Sequence, residues 1–457
     1  MMCNNVYIRP LQENDAETSY KWRNDPSIWA FTASKPNNVI TPEIEKRWIQ
    51  KVIKDETSRR FAIIADNNYI GNIQITNINN DSAEYHIFIG VKEWWGKGIS
   101  HLATYQILHF SKEILKLKKI YLSVSQENIS AIKSYIKSGF TEVARENGWL
   151  KMECKLIELS IPTVSVFCMV YNHERFISEA IEGFLMQKTN FNTIMVIGED
   201  CSSDNSRAII QKYADNYPGK FKLLFHQSNV GPNKNQEIVL NNCDGKYIAM
   251  CEGDDYWIDP YKLKKQVDLL EKFQEVSIVY TNYKVRNETK NVEYIHQKIV
   301  KDQYRDENFN YLYTGDIRTL TCMFPKSKLD AISYILKNEK LQKNPCGDRA
   351  ILLGLSSVGK IHYLPDVTGV YRLFEGVSAM RFTSPINKYK TALKGISSEL
   401  IVLNIIDVNN PKLIIKKYYR KFLLFLICNL LKINIFNNLY IYLYNKGNKD
   451  YSNTGYF

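Results

Sequence analysis

Chemistry is most concentrated in Cys251-Glu252-Gly253-Asp254-Asp255-Tyr256-Trp257, which follows the apolar run Gly245 to Met250. The run reads as a buried strand, and carboxylates at the C-terminal end of a strand in an α/β sheet lie where ligands bind. Three of them together repel one another unless a cation or ligand relieves them. Mg²⁺ or Mn²⁺, held by one or two carboxylates and by substrate phosphates, suits that pattern. The competing structural reading makes Asp254 or Asp255 the cap of a helix starting near Pro260.

Two more strand ends carry polar turns. The segment Thr163 to Val170 runs into Tyr171-Asn172-His173-Glu174-Arg175, and Thr193 to Ile197 runs into Gly198-Glu199-Asp200-Cys201-Ser202-Ser203-Asp204-Asn205. Asp200 is able to accept from a pyrimidine N–H. Ser202, Ser203 and Asp204 are able to cap the next helix, which would be their whole role if no ligand bound. Ser228-Asn229-Val230-Gly231-Pro232-Asn233 adds a Gly-Pro turn ahead of a helix, a place for a diphosphate. The alternation of strand and helix from about 163 to 380 predicts a largely parallel sheet.

These turns, in this order and with Lys262, Leu263 and Gln266 behind the acidic segment, resemble the family 2 glycosyltransferases of the GT-A fold over roughly residues 160–380. The resemblance implies an inverting transfer from a nucleotide sugar, UDP- or dTDP-linked. It implies that Asn172, Glu199, Asp200, Ser202, Asn229 and Gly231 bind the nucleotide, with Asp200 on the base. The family's D-x-D motif appears as Glu252-Gly253-Asp254, so Asp254 would hold the metal and Glu252 would face the metal or the ribose. About a hundred residues on, Gly347-Asp348-Arg349 matches the turn that carries the family's base. Asp348 would then remove the acceptor hydroxyl proton, while the metal stabilises the departing diphosphate. As a structural residue, Asp348 would cap the apolar helix that follows. Arg372, in Val370-Tyr371-Arg372, would reach the phosphates.

The first 156 residues carry a second set. Phe61 to Ala65 and Tyr69 to Ile75 read as a hairpin, Glu84 to Gly90 as a strand, and Glu93-Trp94-Trp95-Gly96-Lys97-Gly98-Ile99-Ser100 as a glycine-bearing loop entering a helix over 101–115. Amides at such a helix start are anion ligands. With Asn128 and with Tyr135 ahead of Gly139-Phe140, the pattern resembles the GNAT acetyltransferases over about residues 5–155. The resemblance implies acetyl-CoA, its pyrophosphate on the segment Trp95, Gly96, Lys97, Gly98, Ile99 and Ser100, its pantetheine arm on Asn128, and its thiolate protonated by Tyr135. Glu93 stands where the family has Gln or Arg. Glu84 is the candidate base for the amine, and His86, two residues on and on the same strand face, competes with it. Without the family, Tyr135 reads as a core aromatic on a helix face, and Glu84 and His86 as ordinary strand residues.

The elements that must position these residues need more than one core. A chain of 457 residues is expected to hold two or three domains, and 45% apolar with 24% charged residues is a globular composition; the strand–helix alternation and the two resemblances make the expected class α/β multidomain. The expected division is 1–158 as the GNAT domain (a mixed sheet with flanking helices), 162–384 as the GT-A domain, and 385–457 as a helical tail, with Ile161-Pro162 as linker. Sixty basic against 48 acidic residues, a charge of +12, favour anionic ligands. The basic residues are scattered without a recognition motif, so no nucleic acid is expected. Nine cysteines without a C-x-x-C pair, several in apolar runs, suit a reducing cytoplasm. No basic segment followed by an apolar run opens the chain, so no secretory signal is expected. Pro411 to Ile427, basic at one end and apolar at the other, reads either as a helix on an anionic membrane surface or as one packed on the core.

The expected function is twofold: N-acetylation of an amino sugar, nucleotide-linked, and transfer of a sugar to a glycan or lipid-linked acceptor, in bacterial surface polysaccharide synthesis at the cytoplasmic face of the membrane. The rival readings are an acetyltransferase for a protein N-terminus or another amine, and a degenerate domain serving as scaffold.

Overall fold

The computed structural model describes residues 5–31, 38–159, 162–296, 304–305, 317–343, 347–373, 396–397, 399–406 and 422. Two sheets organise them. The first is built from β1 (Val6–Pro10), β2 (Arg59–Ala65), β3 (Asn68–Thr76), β4 (Ser82–Ile89), β5 (Lys119–Ser125), β6 (Thr141–Glu146) and β7 (Trp149–Lys155), in the order β1-β2-β3-β4-β5-β7-β6. The β2–β3 hairpin turns through Asp66 and Asn67 at φ 46° and 65°, the left-handed pair a two-residue hairpin requires. Helices α1 (Ala16–Arg23) and α2 (Pro42–Val52) lie on one face; α3 (Ile99–Glu113) and α4 (Ile129–Lys137) lie on the other.

One feature of this sheet matters for chemistry. β4 and β5 are parallel and pair only at Ser82, Ala83 and Glu84, opposite Lys119, Ile120 and Tyr121. From Tyr85 onward β4 has no partner on that side, so the two strands splay into a wedge.

The second sheet begins with β8 (Val164–Val170), β9 (Thr193–Glu199), β10 (Phe221–Phe225) and β11 (Tyr247–Met250), joined through α5 (Ile177–Leu185), α6 (Ser206–Asn216) and α7 (Pro232–Asn241). These four strands are parallel, in the order β10-β9-β8-β11. All seven positions of β9 are buried, as expected of a strand covered on both faces. Beyond β11 the sheet departs from the parallel expectation. After β12 (Tyr256–Trp257), α8 (Lys262–Lys272), β13 (Val276–Asn287), β14 (Val292–Ile295) and β15 (Tyr304–Arg305) comes β16 (Met323–Pro325), which is antiparallel to β11. Short helices α9 (Lys326–Ala331), α10 (Ser333–Leu336) and α11 (Glu339–Lys343) lead to α12 (Gly347–Ser356) and β17 (Lys360–Leu373); β17 runs parallel to β13 and antiparallel to β12.

The two sheets are packed on each other through side chains. Tyr105 of α3 belongs to the core formed by Val196, Leu240 and Ile248 of the second sheet. Tyr7 meets Tyr217 at 4.9 Å between ring centroids, and Lys188 pairs with Asp66 at 3.2 Å. Gly219 lies so close that a Cβ there would stand 2.0 Å from the Gln106 carbonyl. The junction touches the N-terminal ends of β9 and β10, where a cleft of about 900 Å³ opens between α2, α3 and residues 211–225. The tail expected to be helical is described only in part, with helix at 399–405; all of Pro411 to Ile427 but Phe422, and Ile161 of the expected linker, lie outside the described residues. Among the described residues no helix is long and apolar enough to cross a membrane.

Candidate active sites

At the C-terminal ends of β8, β9 and β11 the polar turns converge, because parallel strands bring those ends to one edge. The first two turns lock together. Asn172, at φ 57°, donates its N–H to Ser202 Oγ at 2.9 Å, and its Oδ1 accepts from Ser203 N at 2.9 Å. Glu199 is fully buried; Oε1 accepts from Ser202 N at 2.6 Å, and Arg207 pairs with Oε2. The nucleotide contact expected of Glu199 is therefore corrected: its carboxylate is spent on holding the turn. Asp200 accepts from Val230 N at 2.7 Å and Gly231 N at 3.0 Å, and Asn229 Nδ2 donates to its carbonyl. Asp200 thus joins the second turn to the third. Each of its oxygens keeps a lone pair for a further donor.

The acidic segment leaves β11 under constraint. A Cβ at Gly253 would stand 2.8 Å from His173 Nδ1 and 2.9 Å from Val170 Cγ2, so glycine between Glu252 and Asp254 is a packing requirement. Thr319 Oγ1 donates to Glu252 Oε2 at 2.6 Å. Burial, then the Asp254 carboxylate, pushes Glu252 up to about 8. Asp255 is buried, accepts from Arg372 N at 2.9 Å and is raised well above the usual range by burial and by Asp254 and Glu252. Neither acid caps a helix: α8 starts after Tyr261, whose N–H is taken by Asp259. Beneath them Lys262 is wholly buried on Gln266 at 2.6 Å and against Trp257, its ammonium lowered to about 8 by burial.

Asp348 stands in the first turn of α12, bonded to Arg349 N at 2.9 Å and raised by burial. Its charge acts on Glu252, so the fold brings Asp348 to the acidic segment across ninety-odd residues. Arg372 is corrected. Its guanidinium is 1% exposed and is consumed by Glu179 at 2.7 Å, Glu288 at 3.0 Å and the Asp254 carbonyl at 3.0 Å. It is a strut for the acidic loop, buried among these three partners. Sequence reasoning missed Arg318, whose charge lowers both Asp255 and Asp348 and whose guanidinium lies 4.3 Å over Tyr371. No motif marks it; it arrives on a separate connection ahead of β16.

Among the described residues no three potential ligands assemble into a cage for a metal ion. Clustered carboxylates at a strand end, with Glu252 raised by burial and by the neighbouring Asp254 charge, suit a hard cation held by one or two acids and completed by a diphosphate; Asp254 and Glu252 are the acids that would hold it.

In the first sheet, Gly96 and Gly98 have φ 72° and 81°, and a Cβ on either would meet nothing within 4 Å. Gly98 is the N-cap of α3 with no side-chain cap, leaving amides of the first turn for an anion. Trp95 is 47% exposed, and its Nε1 donates to the Ile89 carbonyl at 2.9 Å. Lys97 covers Trp94 at 4.9 Å, Ile99 is buried, and Ser100 Oγ meets Ser134 Oγ at 3.0 Å. Asn128 caps α4 through Ala131 N, so its Oδ1 has a structural task while its amide N–H groups remain. Tyr135 packs on Tyr85 and Phe140 and is pushed up to about 12 by burial. Tyr85 bonds Thr104 of α3, which puts Tyr135 and the loop on the α3 face.

Glu84 and His86 point to the opposite face, at the apex of the wedge. The sequence set them as competitors; the fold makes them neighbours, His86 Nε2 lying 3.9 Å from Glu84 Oε2. Asn77 Nδ2 holds Glu84 at 2.8 Å, Thr76 Oγ1 meets His86 Nε2 at 3.0 Å, and burial lowers His86. A thioester entering from the α3 face would meet an amine from the other face, beside a base.

A strand-end carboxylate cluster on a parallel sheet thus shares the chain with a splayed strand pair and an open helix start. Residues 165–331 match the family described as glycosyl transferase family 2, and residues 5–141 the family described as acetyltransferase (GNAT) domain. The spermidine N(1)-acetyltransferase of Vibrio cholerae is 33% identical over 144 residues, 31% of this chain and 82% of that one. A putative glycosyltransferase, EpsE, of Bacillus subtilis is 35% identical over 127 residues, 28% and 45% of the two chains. An uncharacterized protein of Mycobacterium tuberculosis is 41% identical over 117 residues, 26% of this chain and 34% of that; the chain spans about a third of that relative's length. The chain belongs to the GNAT acetyltransferases through its N-terminal sheet and carries a family 2 glycosyltransferase domain behind it.

Proposed function

We propose that the chain acetylates the amino group of a sugar, nucleotide-linked, and transfers a sugar from a UDP or dTDP donor to a glycan or lipid-linked acceptor with inversion, as a step in building a surface polysaccharide at the cytoplasmic face of a membrane. The division is 1–158 for the acetyltransferase, 162–384 for the glycosyltransferase and 385–457 for a tail that meets the membrane. The observation that carries the glycosyltransferase half is the Glu252-Gly253-Asp254 turn behind β11, on whose Glu252 the charge of Asp348 from α12 also acts.

In the glycosyltransferase the turns at Asn172, Ser202, Asn229 and Gly231 form the nucleotide cradle, and Asp200 offers its spare lone pairs to the base. Asp254, with Glu252, would hold Mg²⁺ or Mn²⁺, which when bound would supply charge neutralisation for the leaving diphosphate. Asp348, its carboxyl raised by burial and thus more basic than a free acid, takes the acceptor proton. In the acetyltransferase the amides from Gly96 to Ser100 hold the pyrophosphate of acetyl-CoA and Asn128 meets the pantetheine arm. Glu84, backed by His86, removes the amine proton, and Tyr135 protonates the departing thiolate.

The likeness to a spermidine acetyltransferase favours a second reading, with a polyamine as acetyl acceptor. A mass-spectrometric panel decides. UDP- and dTDP-linked amino sugars and spermidine are incubated with acetyl-CoA and the protein, and a gain of one acetyl group names the acceptor. For the second centre, Asp254→Asn is expected to lower glycosyl transfer by about 100-fold or more while acetyl transfer stays unchanged. Equal loss of both activities would mean misfolding, and no loss would remove Asp254 from the site.

A further inference from the structure

Resting on the acetyltransferase reading above, the acceptor face of the first sheet carries its own specificity signal. One ladder row runs Arg60–Gln74–His86 across β2, β3 and β4, so these side chains share the face that carries Glu84. Arg60 bonds Gln74 and stacks on Trp48, 5.3 Å from the ring centroid; Arg23 stacks on the same indole at 5.0 Å and on Trp29 at 5.4 Å. Trp29 in turn packs on Phe88 of β4 at 5.5 Å, two residues beyond His86 and inside the unpaired stretch. An aromatic wall thus runs from the wedge to two guanidiniums.

These cations are poorly matched by the protein. Arg60 Nε and Arg23 Nε are buried and have no hydrogen-bond partner among the described residues. The carboxylate nearest Arg23 Nε, Glu45 Oε2, is 3.9 Å away, and Glu45 is already bonded to Ser19. Asp55 acts on Arg60 only at a distance, and Arg23 repels it. Two like charges held against one ring, each with an unsatisfied N–H, gain most from an anion with several acceptor oxygens.

We propose that Arg60 and Arg23, held on Trp48, form an anion subsite for the acetyl acceptor, so that the preferred amine is an amino sugar carrying a phosphate or diphosphate ester, with Trp29 and Phe88 lying along its rings. A polyamine would bring positive charge to the same two guanidiniums and would find Glu84 as its chief counter-charge.

The test compares a free amino sugar, its 1-phosphate, its UDP and dTDP esters, and spermidine, in the full-length protein with acetyl-CoA. The expected result is a KM for the esters at least ten times lower than for the free sugar, with the ratio collapsing toward one in Arg60→Gln and only partly restored in Arg60→Lys. Acetyl-CoA affinity should hold in both variants, which shows the fold intact. The 1-phosphate alone against the UDP and dTDP esters separates recognition of a phosphate from recognition of a nucleoside diphosphate. Equal use of free and esterified sugars would overturn the subsite and leave the amino-sugar reading standing. Acetylation of spermidine with no sugar modified would overturn both. Calorimetric titration of the 1-phosphate into the CoA complex provides a readout without turnover, and no binding there would also sink the proposal.

Discussion

At the scale of single residues, the acids and the arginines divide into those left for a ligand and those spent on the fold. Arg372 is the clearest of the second kind. Its guanidinium touches Glu179, Glu288 and the Asp254 carbonyl at once. Arg372→Met removes charge-assisted hydrogen bonds to carboxylates that stay partly open to water, a loss of about 1–2 kcal/mol. Denaturant unfolding should show that loss, together with weakened glycosyl transfer as the acidic loop loosens, and Arg372→Lys should not restore a three-way contact. A stability unchanged in the Met variant would refute the strut. Tyr135 is a different case: pushed up to about 12, it stays protonated across the working range and is suited to donate. Tyr135→Phe should lower kcat for acetyl transfer about 100-fold with little change in unfolding, and the wild-type rate should show no limb from this group below about pH 11. A Phe variant as active as the parent would return Tyr135 to the core.

At the scale of elements, glycines and strand ends decide what is exposed. Gly98 caps α3 in the left-handed region with open space around it, so any cost of replacing it is conformational and not steric. Gly98→Val forces a β-branched residue to φ near 81°, a strain of about 1–3 kcal/mol. It should raise the KM for acetyl-CoA and leave glycosyl transfer untouched; an unchanged KM would mean that the loop does not carry the anion. The β4–β5 wedge belongs to this scale too. Pairing ends at Glu84, so that carboxylate stands where the sheet opens, a juxtaposition that strand periodicity cannot reveal because it depends on where a partner strand stops.

At the scale of the whole molecule, the two sheets meet at a packed junction. α3 contributes Tyr105 to the second core and His109 to the cleft between the sheets. Burial, with Lys222 and Lys112 nearby, lowers His109 to about 3. The folded protein keeps this imidazole neutral, whereas the unfolded chain takes a proton below about pH 6.5, so stability falls as pH drops from 6.5 toward 3. Between pH 7 and pH 5 the loss from this group is roughly 2 kcal/mol, and His109→Phe should remove that part of the slope in paired unfolding curves. An unaltered slope would mean that His109 is already open to protons. The junction meets the N-terminal ends of β9 and β10, whereas the carboxylate edge lies at their C-terminal ends, roughly 20 Å away along a seven-residue strand.

The order of turns in the second half, the glycine loop and the hairpin in the first, and the alternation that sets the parallel strands were legible in the chain, because each depends on neighbours within a few residues: apolar runs that bury strands, glycines that accept positive φ, polar residues that close a strand. The α/β class and both transferase families follow from those local patterns. What only the tertiary structure decided was how side chains far apart in sequence use one another's charge. It assigned Glu199 to Arg207 and Arg372 to Glu179 and Glu288, brought Arg318 to Asp255 and Asp348, and set Arg23 and Arg60 against one indole. Such pairings rest on distances across a sheet, and residue type and spacing carry no record of which carboxylate a guanidinium will meet once the strands are aligned.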